Sequence, residues 1–235
     1  MNMQKVAVVT GASQGIGAAL VAAYRKLGHA VVANSRSMPA STDPMVLSVA
    51  GDIADPGVAA RVIDEGLGAF GRIDTLVNNA GVFVAKPFTE YTAEDYDLVT
   101  GVNLRGFFEI TKRAVAAMLD RSGGHVVSIT TTLVDHANSQ VPAAMAALTK
   151  GGLNAVTRSL AIEYATRGIR VNAVALGVIR TPMHASDDYA ALAALHPVGR
   201  VGEVDDVVDA VLYLDRAGFV TGEILHVDGG QSAGH

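Results

Sequence analysis

KVAVVTGASQGIGAALVAAYRKLG, residues 5–28, sets the fold. KVAVVT (5–10) is an apolar, β-branched run and reads as a buried strand. After it, Ile16, Leu20, Ala23 and Leu27 recur at helical spacing, which predicts a helix over 15–27. The turn between them, TGASQGIG (10–17), carries three glycines with separate jobs. Gly11 permits the tight turn, Gly15 lets backbone approach a phosphate, and Gly17 lets the helix pack closely on the sheet. The start of such a helix offers unpaired N–H groups to an anion, so Ser13, Gln14 and Ile16 would lie around it. The glycines are spaced more widely than in G-x-G-x-x-G. Their place between strand and helix favours a dinucleotide site over a turn that merely tolerates glycine.

The same alternation continues outward. Strand-like runs fall at 30–34, 45–49, 74–81, 124–130, 170–176 and 224–229. Helical patterns lie at 56–69, opened by Asp55-Pro56, at 92–119 in broken form, at 142–166, stopped by Gly168, and at 203–215. Strands alternating with helices predict an α/β fold: a doubly wound parallel sheet with helices on both faces, of Rossmann type. Strands that are apolar throughout fit burial from both sides. One dinucleotide-binding domain over 1–235 is expected, with ligands beyond the carboxyl ends of the strands.

Composition excludes several classes. Half of the 235 residues are apolar and only 17% are charged, so a packed core is expected rather than disorder. A net charge of −5 without a basic stripe argues against a nucleic-acid partner. There is no cysteine, hence no disulfide and no thiol chemistry. The N-terminal apolar run is too short for a signal peptide, and no stretch reaches the length of a membrane span. The expectation is a soluble cytoplasmic protein with a small-molecule substrate, no membrane partner and no metal site.

The end of the second strand chooses between cofactors. A carboxylate there would hold the ribose 2′-hydroxyl of NAD, and a basic residue accommodates the 2′-phosphate of NADP. The stretch is ANSRS (33–37), with no acid. Arg36 is placed to grip a phosphate, with Ser35 and Ser37 as added donors, although a solvated surface arginine would look the same. NADP(H) is expected in preference to NAD(H). Asp52, in GDIADP, is placed either to reach the adenine or to serve with its neighbours as a helix cap.

Together, TGASQGIG (10–17), NNAG (78–81), VNLRG (102–106), TKGGLNAVTRSLAIEYATRGIRVNAVALG (149–177), IRTPM (179–183) and FVTGEILHVDGG (219–230) resemble the short-chain dehydrogenase/reductase family in its single-domain form. The resemblance spans nearly the whole chain and implies a seven-stranded sheet and a homo-oligomer, dimer or tetramer. It implies that Asn79, Ala80 and Gly81 lie along the cofactor, as do Ile53, Gly177, Ile179 and Met183. It assigns Asn103 to hold a water near the lysine, Lys150 to the nicotinamide ribose hydroxyls, and Thr181 to the carboxamide. Residues 182–198 match the substrate loop, and the helices at 102–119 and 142–166 match an interface between subunits.

Three positions depart from the family pattern. Four residues before the lysine, where the family has a tyrosine, stands Ala146. The family serine after the fifth strand has Thr131 as its nearest counterpart, and Leu176 replaces a commoner proline. The tyrosine would supply the proton that a reduced carbonyl oxygen needs, and alanine cannot. Three readings follow. The protein is a reductase with a replacement acid, for which His136, beside Asp135 after the fifth strand, and His184 in the substrate loop are candidates. Or its substrate is an iminium ion, which takes hydride without needing a proton. Or it binds NADP(H) without turnover, as a sensor or scaffold. Lys150 fits all three, because a ribose clamp needs no tyrosine.

Overall fold

A computed structural model describes residues 4–121, 123–184 and 188–234. Part of the expected substrate loop, residues 185–187, lies outside the described residues, as do residues 1–3 and 235. Seven strands form one parallel sheet: β1 (Val6–Thr10), β2 (Ala30–Ser35), β3 (Val46–Ala50), β4 (Thr75–Asn78), β5 (Gly124–Thr131), β6 (Ile169–Leu176) and β7 (Ile224–Val227). Their order is β3-β2-β1-β4-β5-β6-β7, and every pairing is parallel.

The period of two along the strands divides the core. Val6 and Val8 on β1, Val32 on β2 and Val126 on β5 point to one face. There they meet α2 (Pro56–Phe70) and α4 (Phe107–Leu119) through Val62, Ile63, Ile110 and Met118. Ala161 of α5 (Ala144–Tyr164) joins the same cluster. Ala7, Val9, Val31, Val77 and Val127 point the other way. They pack on α1 (Gly15–Lys26) and α7 (Val204–Arg216) through Leu20, Tyr24, Val207, Val211 and Leu214. Burial on both faces is complete in β1, β2 and β4, whereas the edge strands β3 and β7 are only partly covered.

The broken pattern over 92–119 resolves into α3 (Ala93–Thr100), a π-helical turn at Gly101–Gly106, and α4. The last strand stops at Val227, two residues before the expected end. Gly229 and Gly230 follow with φ of 61° and 91°, left-handed values that a strand does not take. Helix 142–166 is shorter than expected. It begins at Ala144 and passes after Tyr164 into a 3₁₀ turn closed by Gly168 at φ 77°. Asp55 caps α2 by accepting from Gly57 N–H at 2.8 Å. Among the described residues, no helix is long and apolar enough to cross a membrane.

Candidate active site

The strand order reverses at β1 and β4, and there the crevice above the carboxyl ends opens. A cavity of about 660 Å³ follows it across the sheet, within the roughly 300–1,000 Å³ common for small-molecule sites.

At one end lie Gly11, Ser13, Gln14, Gly15 and Ile16. Gln14 precedes α1 without a side-chain cap, and the first turn holds no acid. The helices α2, α3 and α7, by contrast, start with side-chain caps. The free, positive end of α1 therefore faces the cavity and suits a diphosphate. Gly17 lies below this surface, and a Cβ there would come within 2.2 Å of the Gly11 carbonyl oxygen. Thr10 and Asn79 brace the turn. Asn79 Nδ2 donates to the Thr10 and Gly11 carbonyls at 2.9 and 3.2 Å, and Thr10 Oγ1 accepts from Asn79 and Ala80 N–H.

Beside the turn, Asn34, Ser35, Arg36 and Ser37 after β2 and Gly51, Asp52 and Ile53 after β3 line a side arm. Asn34, which sequence reasoning passed over, ties these segments: its amide donates to the Val49 and Gly51 carbonyls at 3.0 and 3.2 Å. Arg36 is exposed. Asp52 accepts from Ala54 N–H at 2.9 Å.

In the middle of the cavity, Ala80 and Gly81 face Lys150. A Cβ on Gly81 would lie 3.1 Å from Lys150 Nζ, so bare backbone is what lets the lysine head sit there. Lys150 Nζ donates to the Ile129 carbonyl at 2.6 Å, and burial lowers its pKa from the ordinary 10.5 to about 8. Ala146, four residues earlier on α5, lines the cavity as well. Asn103 sits in the π-helical turn and faces not this cavity but a pocket of about 10 Å³ behind Lys150, at the lower limit for one water. It exchanges hydrogen bonds with Val82 N–H and C=O, both 3.0 Å, and donates to Thr149 Oγ1 at 3.2 Å.

Toward the other end stand Thr131, Thr132, Leu176, Gly177, Ile179, Met183, His184, Leu192, Leu195 and Gln231, while Thr181 lies over the glycine turn, where a Cβ on Gly15 would come within 3.5 Å of its Cβ. Thr132 Oγ1 donates to the Asp228 carboxylate at 2.7 Å. Burial alone would raise the Asp228 pKa, but hydrogen bonds from Ser232, Thr132 and Gly230 outweigh it and hold the carboxyl at about 2. His136 is not among the cavity-lining residues: after β5 the chain enters a 3₁₀ turn (Thr132–Val134) that carries it aside. Among the described residues, no tyrosine lines the cavity. Among the described residues no cluster of His, Asp or Glu is arranged to hold a metal. Thr132 could be read from sequence only as a hydroxyl able to bond a carbonyl, and Asp228, His196 and Gln231 were missed, because their contacts join distant parts of the chain.

Fold and cavity define a dinucleotide-binding α/β protein. The family model described as enoyl-(acyl carrier protein) reductase matches residues 11–232. The chain is 35% identical, over 97% of its length and 96% of the relative's, to (2S)-[(R)-hydroxy(phenyl)methyl]succinyl-CoA dehydrogenase subunit BbsD of Thauera aromatica. Its fold matches 3-ketoacyl-(acyl-carrier-protein) reductase from Brucella melitensis, complexed with NADH, at a TM-score of 0.91 and 28% identity, covering 98% of this chain and 100% of that one. It matches ElxO with NADP bound at 0.91 and 26%, covering 99% and 100%. The chain belongs to the short-chain dehydrogenase/reductase family of NAD(P)-dependent oxidoreductases. The two solved structures hold different cofactors, NADH in one and NADP in the other.

Proposed function

We propose that this protein is an NADP(H)-dependent oxidoreductase that moves hydride to or from a small carbonyl, alcohol or imine substrate through an atypical active site, with Ala146 in the place of a tyrosine. One observation carries the reading: a single cavity joins the uncapped start of α1, Arg36 and Lys150. The helix end suits the diphosphate, and Arg36 with Ser35 suits a ribose 2′-phosphate. Lys150, facing bare backbone at Gly81, suits the nicotinamide ribose, and Thr181 with Ile179 the carboxamide end. When bound, the cofactor supplies or accepts hydride.

The chain's own residues hold and enclose the substrate. Leu176, Leu192 and Leu195 form apolar wall, and Thr131 offers a hydroxyl. An aliphatic hydroxyl binds a carbonyl but is a poor acid, so ketone reduction without a phenol draws its proton from Lys150, His184 or water. An iminium ion needs none. The uncapped helix end and Gly81 support nucleotide binding whatever the chemistry. The absence of a tyrosine from the cavity wall favours a second reading, a non-catalytic NADP(H) sensor or scaffold. We also expect a homo-oligomer, since Phe108, Leu148 and Ile162 on α4 and α5 are exposed.

Calorimetric titration with NADPH and NADH tests the cofactor assignment. Tighter binding of NADPH, by tenfold or more, is expected. Equal affinities would remove Arg36 as a phosphate ligand, and no binding of either would overturn the proposal.

A further inference from the structure

His196 follows α6 (Tyr189–Ala193) and is 3% exposed. Its Nδ1 lies 2.8 Å from the Asp228 carbonyl oxygen, and its Nε2 lies 3.3 Å from Val178 N. A carbonyl oxygen can only accept, so Nδ1 carries the proton. A backbone N–H can only donate, so Nε2 is bare. The two bonds fix one neutral tautomer. A proton on Nε2 would point at the Val178 N–H and break that bond.

The ring occupies a slot kept open by two glycines. A Cβ on Gly177 would come within 2.6 Å of His196 Cε1, and one on Gly229 within 3.1 Å of His196 Cβ. Three chain segments meet at this ring: the turn after β6, the end of α6, and the turn after β7. Each contributes cavity wall, through Gly177 and Val178, Leu195, and Gln231 respectively. The third segment also holds the Asp228 carboxylate that receives the Thr132 hydroxyl, so a fourth wall residue is tied to the same point.

We propose that His196 is a positioning residue for the substrate end of the cavity, its Nδ1-protonated imidazole setting the Leu195, Val178 and Gln231 walls relative to one another. It touches neither cofactor nor reacting atoms. The proposal rests on the reading of this end as the substrate end. It deepens that reading by naming what fixes the shape there. Packing alone does not account for the site, because a leucine of similar size would fill the slot yet leave the Asp228 carbonyl and the Val178 N–H unpaired.

The test compares His196→Leu, which offers neither bond, with His196→Gln, whose carboxamide offers both a donor and an acceptor. Cyclohexanone and 2-methyl-1-pyrroline serve as probe substrates, with NADPH as reductant. His196→Leu is expected to raise KM for the accepted probe by about tenfold or more. NADPH affinity, anchored at Arg36 and α1, stays within threefold, and His196→Gln recovers most of the KM. A lowered Tm with KM unchanged would make His196 merely structural and overturn the proposal.

Two readouts do not depend on turnover. ¹⁵N-histidine spectra of the parent should show His196 protonated at Nδ1 and bare at Nε2, and the Val178 amide should exchange faster in His196→Leu. An Nε2-protonated ring, or unchanged exchange, would overturn the proposal even if the protein reduces neither probe. Failure on both probes counts against the oxidoreductase reading instead, and leaves these two readouts to decide His196.

Discussion

Ala146 and Lys150 stand one helical turn apart on α5, and both line the cavity. The lysine reaches across to the Ile129 carbonyl at 2.6 Å, at the end of the strand that also carries Thr131. A methyl group therefore occupies the position beside the Lys150 side chain in the cavity. On the proposed reading, the pair would keep the cation placement of a tyrosine–lysine pair without its phenolic proton.

Lys150 gives a pH-dependent prediction. Burial holds its pKa near 8, so an ammonium that, on the proposed reading, would donate to a ribose hydroxyl is lost as pH rises through about 8. NADPH affinity should fall over pH 7–9 in the parent and stay flat in Lys150→Met. At pH 7 Lys150→Met should bind roughly tenfold more weakly, the scale of one charge-assisted hydrogen bond. Stability runs the other way. Between about 8 and 10.5 the unfolded chain binds more protons than the folded one, so parent stability rises with pH there. The unfolding free energy of Lys150→Met should exceed the parent's at pH 7, by a margin that shrinks across this window. Denaturant titrations at pH 7, 8 and 10 check the sign.

Arg36 is predicted to set cofactor choice. Arg36→Ala should weaken NADPH binding by roughly 10- to 100-fold, the cost of a lost guanidinium–phosphate pair, while NADH binding changes little. Arg36→Asp should invert the preference by supplying a carboxylate to the 2′-hydroxyl. Titration of each variant with both cofactors measures this. Equal losses for both would point to a general effect on the loop.

Gly17→Ala should destabilise the fold. The new Cβ would meet the Gly11 carbonyl at 2.2 Å, with Asn79 Nδ2 at 2.7 Å, and backbone cannot yield cheaply. A loss of about 1–3 kcal/mol is expected from overpacking, with weaker NADPH binding as α1 shifts away from the sheet. Thermal unfolding with and without NADPH separates the two effects.

A buried cluster at the opposite end of the sheet predicts acid sensitivity. His125 is buried, 3.1 Å from the Asp215 carboxylate and 3.1 Å from Asn172 Nδ2. The amide donates, so Nε2 is bare and Nδ1–H faces the acid. Burial lowers the His125 pKa despite that carboxylate, and burial lowers that of His29 as well. Each imidazole therefore takes up its proton at lower pH in the fold than in the unfolded chain, which binds protons first as pH falls below about 6.5. Stability should fall with acidification from there, with a limiting slope of about 1.4 kcal/mol per pH unit for each such histidine. Urea titrations between pH 7 and 5 read the slope; a flat profile would contradict the neutral assignment.

Local patterns were legible in the sequence, and long-range ones were not. Apolar, β-branched strand runs such as Val6–Thr10 and helices such as Gly15–Lys26 arise from neighbouring residues, so their existence and order could be read directly. The glycine turn was legible for the same reason. The Thr132–Asp228 bond joins residues 96 apart, and the His196–Asp228 bond residues 32 apart, and no local pattern announces either. His136 looked close to the site because it follows β5, but a turn capped by Thr131 takes it out of the cavity wall. The end of β7 was misjudged because ILHVDG reads as apolar strand, while the two following glycines take left-handed conformations.

The most direct test follows NADPH absorbance with purified protein against a panel pairing ketones with cyclic iminium ions, with Ala146→Tyr in parallel. The account predicts turnover of at least one class by the native chain. It also predicts a gain of roughly 10²–10⁴-fold on ketones in Ala146→Tyr, where a phenol beside the Lys150 ammonium restores a positioned acid. Tight NADPH binding with no turnover by the native chain, alongside activity in Ala146→Tyr, would contradict it and make the protein a cofactor-binding sensor or scaffold.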